Sequence, residues 1–160
     1  MGLDMYLKKE MYISTYDFEN KPYTNPKKAN IKIKIEYEDG HKKTTTLDQK
    51  LATDGGIVLQ MPFCYWRKAN AIHKWFVDLS GREDDCQPIN VSGKQLLELV
   101  GLCNEVLKDH SRAEELLPTQ DGFFFGGTDY DEYYFNDLKH TVEKLKDIDP
   151  DDELIYRASW

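Results

Sequence analysis

Two stretches of the 160-residue chain gather side chains that could do chemistry. Residues 117–134 (LPTQDGFFFGGTDYDEYY) bring together three phenylalanines, the Gly126-Gly127 pair, and Tyr130, Tyr133 and Tyr134. Phe123 to Phe125 predict a strand, the glycine pair a sharp turn, and Thr128 with Asp131 three residues on the capped start of a helix. Such a junction leaves free backbone N–H groups at a helix N-terminus, and those groups cradle anions. Asp129 and Asp131 stand in the same turn and already complement the helix dipole, so an acid-capped helix without a ligand fits the residues as well. Stacking of a nucleobase on Phe124, Tyr130 or Tyr133 needs no charge and contributes ~1–3 kcal/mol per base.

The second stretch is residues 65–73 (YWRKANAIH). Here Trp66 could stack on a base, Arg67 could hold a phosphate and Asn70 could read a base edge, with His73 on the same stripe. The plainer alternative is an amphipathic helix with a snorkelling arginine and a histidine at the core edge. The candidate ligand-binding set is therefore Trp66, Arg67, Asn70, His73, Phe124, Gly126, Gly127, Thr128, Tyr130 and Tyr133.

Other reactive residue types form no pattern. Asp129, Asp131 and Glu132, like Glu83, Asp84 and Asp85, match no calcium loop and lack a histidine at helical spacing. His41, His73, His110 and His140 are scattered, with no Ser/His/Asp or Cys/His arrangement. Cys64, Cys86 and Cys103 are odd in number, widely spaced and form no C-x-x-C pair, which predicts free thiols. No catalytic residue, metal site or cofactor is expected.

Charge narrows the partners. The net charge of −8 is uneven: +2 over residues 1–50, −1 over 51–108 and −9 over 109–160. No extended basic face can be assembled, which argues against direct duplex DNA binding. No run of eighteen apolar residues occurs and the first ten residues lack an apolar leader, so a cytoplasmic protein without a membrane partner is expected.

The elements that must position these residues read as a single α+β domain over 1–160. Residues 3–8 and 11–18 predict two strands or one bent ribbon, and the Pro- and Asn-rich segment 20–30 a loop. Residues 31–37 (IKIKIEY) alternate strictly and predict a strand with one buried face. They pair through the turn at 38–41 with a strand at 42–47. After a turn at 54–56, a short buried strand spans 57–61. Pro62 then sits at a favoured first helical position, and 63–79 predict a helix burying Tyr65, Ala69, Ile72, Phe76 and Leu79. Residues 80–90 read as a loop. Ser92 with Gln95 forms a capping box that opens a helix burying Leu96, Leu97, Val100, Cys103 and Leu107. Ser111 with Glu114 suggests a further box, and the last helix spans about 129–147. A terminal strand, 154–160, returns to the antiparallel sheet, which about three helices cover.

The opening MGLDMYL, the segment YWRKANAIHKWF, the block LPTQDGFFFGGTDYDEYYFNDL and the terminal Ser159-Trp160 together resemble a family of small bacteriophage and prophage proteins. The resemblance covers nearly the whole chain in order and is weakest over 20–30 and 31–47. It carries no catalytic residues. It implies a phage accessory protein acting against host defence, by class-level analogy. The expected function is binding and sequestering a small nucleotide-type signal rather than turning one over, in a protein that could be a homodimer. The alternatives are an acidic inhibitor that masks a basic surface of a host defence protein or nuclease, and a hydrolase working through Asp129, Asp131 and His73.

Overall fold

A computed structural model describes residues 2–14, 31–37, 39–47 and 56–160. The elements in order are β1 (Asp4–Ser14), β2 (Ile31–Glu36), β3 (Lys42–Leu47), β4 (Gly56–Arg67), α1 (Asn70–Ser80), β5 (Ile89–Ser92), α2 (Gly93–Lys108), a 3-10 turn (His110–Arg112), α3 (Ala113–Leu116), α4 (Glu132–Leu145) and β6 (Glu153–Ser159). The fold is α+β. The chain forms two compact units, one of residues 1–10 with 60–160 and one of residues 11–59. The expected loop 20–30 and turn at 54–55 lie outside the described residues.

The larger unit is built on an antiparallel sheet in the order β4-β1-β6-β5. The terminal strand is thus an inner strand, not an edge. Its register with β1 sets Met5 opposite Ala158 and Leu7 opposite Tyr156, while β5 sets Ile89 opposite Tyr156 and Val91 opposite Leu154. Because side chains alternate along a strand, Met5, Leu7, Leu154, Tyr156 and Ala158 share one face, and all are buried. Phe76 of α1 lies flat on Tyr156, centroids 3.8 Å apart and planes 9° from parallel. Leu96, Leu99 and Cys103 of α2 and Leu138 and Leu145 of α4 complete the core.

Local chemistry explains where the helices start. The capping box of α2 forms as expected, with Gln95 N–H donating to Ser92 Oγ and Ser92 N–H to Gln95 Oε1. Gly93 must be glycine, since a Cβ there would stand 1.9 Å from the Asp149 carbonyl oxygen. Leu99 and Val106 join the buried stripe of α2, whereas Leu97 and Leu107 are only partly buried. Near 111 the cap is Asp109, which accepts from Ser111 N–H, so the predicted Ser111 box does not form. Likewise α4 begins at Glu132, capped by Asp131 through Tyr134 N–H, and not at a cap on Thr128.

The largest departure is over 62–69. The predicted helix there is the second half of β4, and α1 starts only at Asn70. The run FCYWR satisfies both periods, and burial follows period two, with Cys64 and Trp66 inside and Tyr65 46% exposed. Pro62 is tolerated because β4 is an edge strand, where a missing N–H breaks no ladder. The strand is also longer than predicted, and its start is not buried: Val58 is 53% exposed. Residues 89–90, expected to end the loop, instead open the four-residue strand β5, and the predicted strand at 123–125 is a turn closed by Phe125 N–H on the Gly122 carbonyl.

In the smaller unit, β2 and β3 form the predicted antiparallel hairpin, Ile31 opposite Leu47 and Glu36 opposite Lys42. Gly40 takes φ +81°, which the Asp39-Gly40 turn requires. The expected buried face is only partial, with Ile33 half-buried and Ile35 40% exposed. A two-stranded ribbon hides one face only where a second layer covers it.

Candidate functional site

The backbone leaves β4 through Lys68 at φ +61°, a left-handed conformation uncommon for a side-chain-bearing residue. That reversal points the start of α1 into a pocket of about 390 Å³. Helix α1 has no side-chain cap and no acid in its first turn. Asn70 N–H donates to the Lys68 carbonyl and His73 N–H to Ala69, which leaves the N–H groups of Ala71 and Ile72, both lining the pocket, without a partner among the described residues. Arg67 and Lys68 flank this end, and neither has an ion-pair partner among the described residues. One wall is therefore electropositive.

The rest of the lining includes acids. Asp129, Asp131 and Asp137 belong to it with Tyr133, which is 81% exposed. Asp131 is committed to the start of α4. Burial, reinforced by the nearby Asp131, pushes the Asp137 carboxyl up to about 6. Gly126 and Gly127 line the pocket, and Gly126 at φ +91° runs close to Lys68, where a Cβ would stand 3.3 Å from Lys68 Cβ.

Asn70 holds the two sides of the opening together. It is 5% exposed, and its amide donates to the carbonyls of Phe125 (3.2 Å) and Gly127 (2.7 Å) and accepts from Gln120 N–H (3.2 Å). One turn on, His73 is buried, with Nδ1 2.7 Å from the Tyr156 hydroxyl and Nε2 2.8 Å from Asp84 Oδ2. The other Asp84 oxygen accepts from Trp160 Nε1 at 3.3 Å. His73 and Trp160 both meet the Phe125 ring edge-on, at 5.1 and 5.7 Å. Asp84 thus clamps the two rings that box the residue just before the Gly126-Gly127 wall. Burial, with Asp84 adding to it, holds the Tyr156 hydroxyl protonated far above its ordinary range.

Of the ten residues picked from sequence, Arg67, Asn70, Gly126, Gly127 and Tyr133 meet at the pocket. Trp66 does not: it is 2% exposed and donates to Thr141 Oγ1 at 2.9 Å, a core residue. His73 belongs to the clamp behind the pocket, not to its lining, and so does not join Asp129 and Asp131. Phe124 is half-buried, its carbonyl accepting from Leu3 N–H. Tyr130 packs edge-on against Tyr134 at 5.0 Å, and the Thr128 carbonyl accepts from Thr119 Oγ1. Sequence reading missed Lys68, Thr119 and Asp137. The spacing of Tyr133 and Asp137, one turn apart on one helix face, was the available signal for the last.

Among the described residues no helix is long and apolar enough to cross a membrane. Cys64 and Cys103 are free and buried, which pushes both thiols up to about 12 and makes them poor nucleophiles. The chain matches no family model, no curated protein and no solved structure.

Proposed function

We propose that the pocket at the head of α1 binds a small nucleotide-type anion, and that the protein acts by holding this ligand rather than by turning it over. The observation that carries the reading is the uncapped start of α1, whose unpartnered Ala71 and Ile72 N–H groups open between Arg67 and Lys68. A phosphate fits this wall because helix N–H groups and flanking cations both favour negative charge. The pocket's carboxylates suit the other end of a nucleotide, since ribose hydroxyls and base amino groups donate hydrogen bonds. Carboxylates hold ribose diols in this way in dinucleotide sites. Tyr133 offers an exposed ring for the base, and a volume of about 390 Å³ is within the range of small-molecule sites.

The phage accessory, anti-defence role and host cytoplasm come from the sequence resemblance, and sequestration of a nucleotide signal is the form of that role this pocket favours. A second reading, inhibition of a host defence protein, draws on Phe123, which is 96% exposed, and on Tyr133 beside it in the same 117–134 stretch. Exposed aromatics of this kind anchor protein interfaces.

A thermal-shift panel of cyclic di- and trinucleotides, ADP-ribose derivatives and ordinary nucleotides tests the reading. At a hundredfold excess over Kd the ligand adds about 2.7 kcal/mol of stability. We expect one nucleotide class to raise Tm in the wild type and to have no effect on Arg67→Ala. A flat panel contradicts the nucleotide reading and favours the protein partner.

A further inference from the structure

A second cavity, about 600 Å³, is lined by residues of β1, β4 and α4. It shares no lining residue with the pocket at α1. Its apolar surface comes from Tyr6 of β1 and from Phe63 and Tyr65 of β4, with Tyr6 and Tyr65 presenting neighbouring rings 5.3 Å apart, inclined at 46°. These tyrosines are 39% and 46% exposed, an unusual amount of aromatic surface for two adjacent strands to leave in water.

The charged side chains that line the cavity with these rings are lysines. Lys8 reaches over the Tyr6 ring, its Nζ 5.8 Å from the centroid, and Lys144 of α4 also lines the cavity. Among the described residues neither lysine has an ion-pair partner and no carboxylate lines the cavity. The nearest acid, Asp4, accepts the Tyr65 hydroxyl proton and raises the pKa of that phenol. His140 Nε2–H donates to the Tyr65 carbonyl at 3.1 Å, which leaves Nδ1 without a partner among the described residues. In a chain of net charge −8, lysines are the charged residues among the described lining of this apolar cavity, with Asp4 engaged by the Tyr65 hydroxyl at its margin.

We propose that this cavity is a second ligand site, taking an organic anion with a flat apolar body. The rings of Tyr6 and Tyr65 cover the body, and Lys8 and Lys144 pair with its anionic group. The volume suits a molecule of that size, and unpaired cations beside apolar walls select against neutral and cationic ligands alike.

The probe is 8-anilinonaphthalene-1-sulfonate, an aromatic body with one sulfonate, titrated by fluorescence against the full chain. Saturable binding at one site is expected. Lys8→Gln with Lys144→Gln should weaken it roughly tenfold, each lost ion pair being worth a few-fold. Both lysines lie toward solvent, so the variant should keep the wild-type Tm. Arg67→Ala, at the other pocket, should bind the probe as the wild type does, and the uncharged N-phenyl-1-naphthylamine should bind far more weakly. Unchanged affinity in the double lysine variant, equal affinity for the uncharged probe, or loss of binding in Arg67→Ala would each overturn the proposal.

Discussion

Asn70 and His73 stand one turn apart on α1, both polar and both at least 95% buried, yet they belong to two regions that differ in kind. Around His73 every polar group is committed: both ring nitrogens, the Tyr156 hydroxyl and both Asp84 oxygens have partners. Around the pocket that Asn70 frames, Arg67, Lys68 and two backbone N–H groups have none among the described residues. Polar groups satisfied within the chain define structure, since an unpaired buried group costs about 1–3 kcal/mol. Polar groups left uncommitted at a concave surface are what a ligand can use. On this contrast the proposed site is at the start of α1, and the histidine is part of its support.

Substitutions can break or sharpen that contrast. The largest effect is expected from Trp66→Ala, which empties a core position and leaves the Thr141 hydroxyl without its donor. A cost of about 3–5 kcal/mol follows, read as a Tm lower by roughly 6–20 °C. Were Trp66 instead a stacking residue of the site, Tm would hold and only ligand binding would fall. Asp84→Ala comes next. It strips a partner from buried His73, at about 1–3 kcal/mol, and hydrogen exchange at 120–127 should quicken as Phe125 loses its clamp. Unchanged exchange there would separate the two regions.

A smaller effect is expected from pH. The Asp137 carboxyl is raised in the folded chain from 3.8 to about 6, so between those values the folded state holds more protons than the unfolded one. Its contribution to stability is therefore present below about pH 4 and lost as pH rises toward 6. Asp137→Asn should remove this falling component, making the difference in Tm between variant and wild type grow from pH 4 to 6; parallel curves would contradict a half-buried carboxyl lining the pocket. Arg67→Ala should move Tm least, by no more than the equivalent of ~0.5 kcal/mol, because the guanidinium has no ion-pair partner among the described residues.

The parts of the fold that were legible in sequence are those set by neighbours in sequence. The Asp39-Gly40 hairpin, the Ser92–Gln95 box and the alternation of the terminal strand each carry their own signal within a few residues. What was misread depends on distant partners. Residues 62–67 carry helical and strand periods at once, and pairing with β1, some sixty residues earlier, decides for the strand. β5 is only four residues long and exists through β6. The three phenylalanines carry no period, and they meet three fates: Phe123 is 96% exposed, Phe124 half-buried and Phe125 5% exposed. Of the site, residue type identified Arg67, Asn70, the glycines and Tyr133. The role of His73 depends on Asp84 and Tyr156, eleven and eighty-three residues away, which no local pattern announces.

The central claim is that the uncommitted groups at the head of α1 hold the phosphate of a nucleotide-type ligand. Amide NMR shifts, followed while the nucleotide selected by the thermal panel is titrated in, test this most directly. The account predicts the largest shifts at Ala71 and Ile72, with smaller ones at Gly126 and Gly127, and their loss in Arg67→Ala. Saturable binding whose shifts fall elsewhere, with Ala71 and Ile72 unmoved, would contradict it.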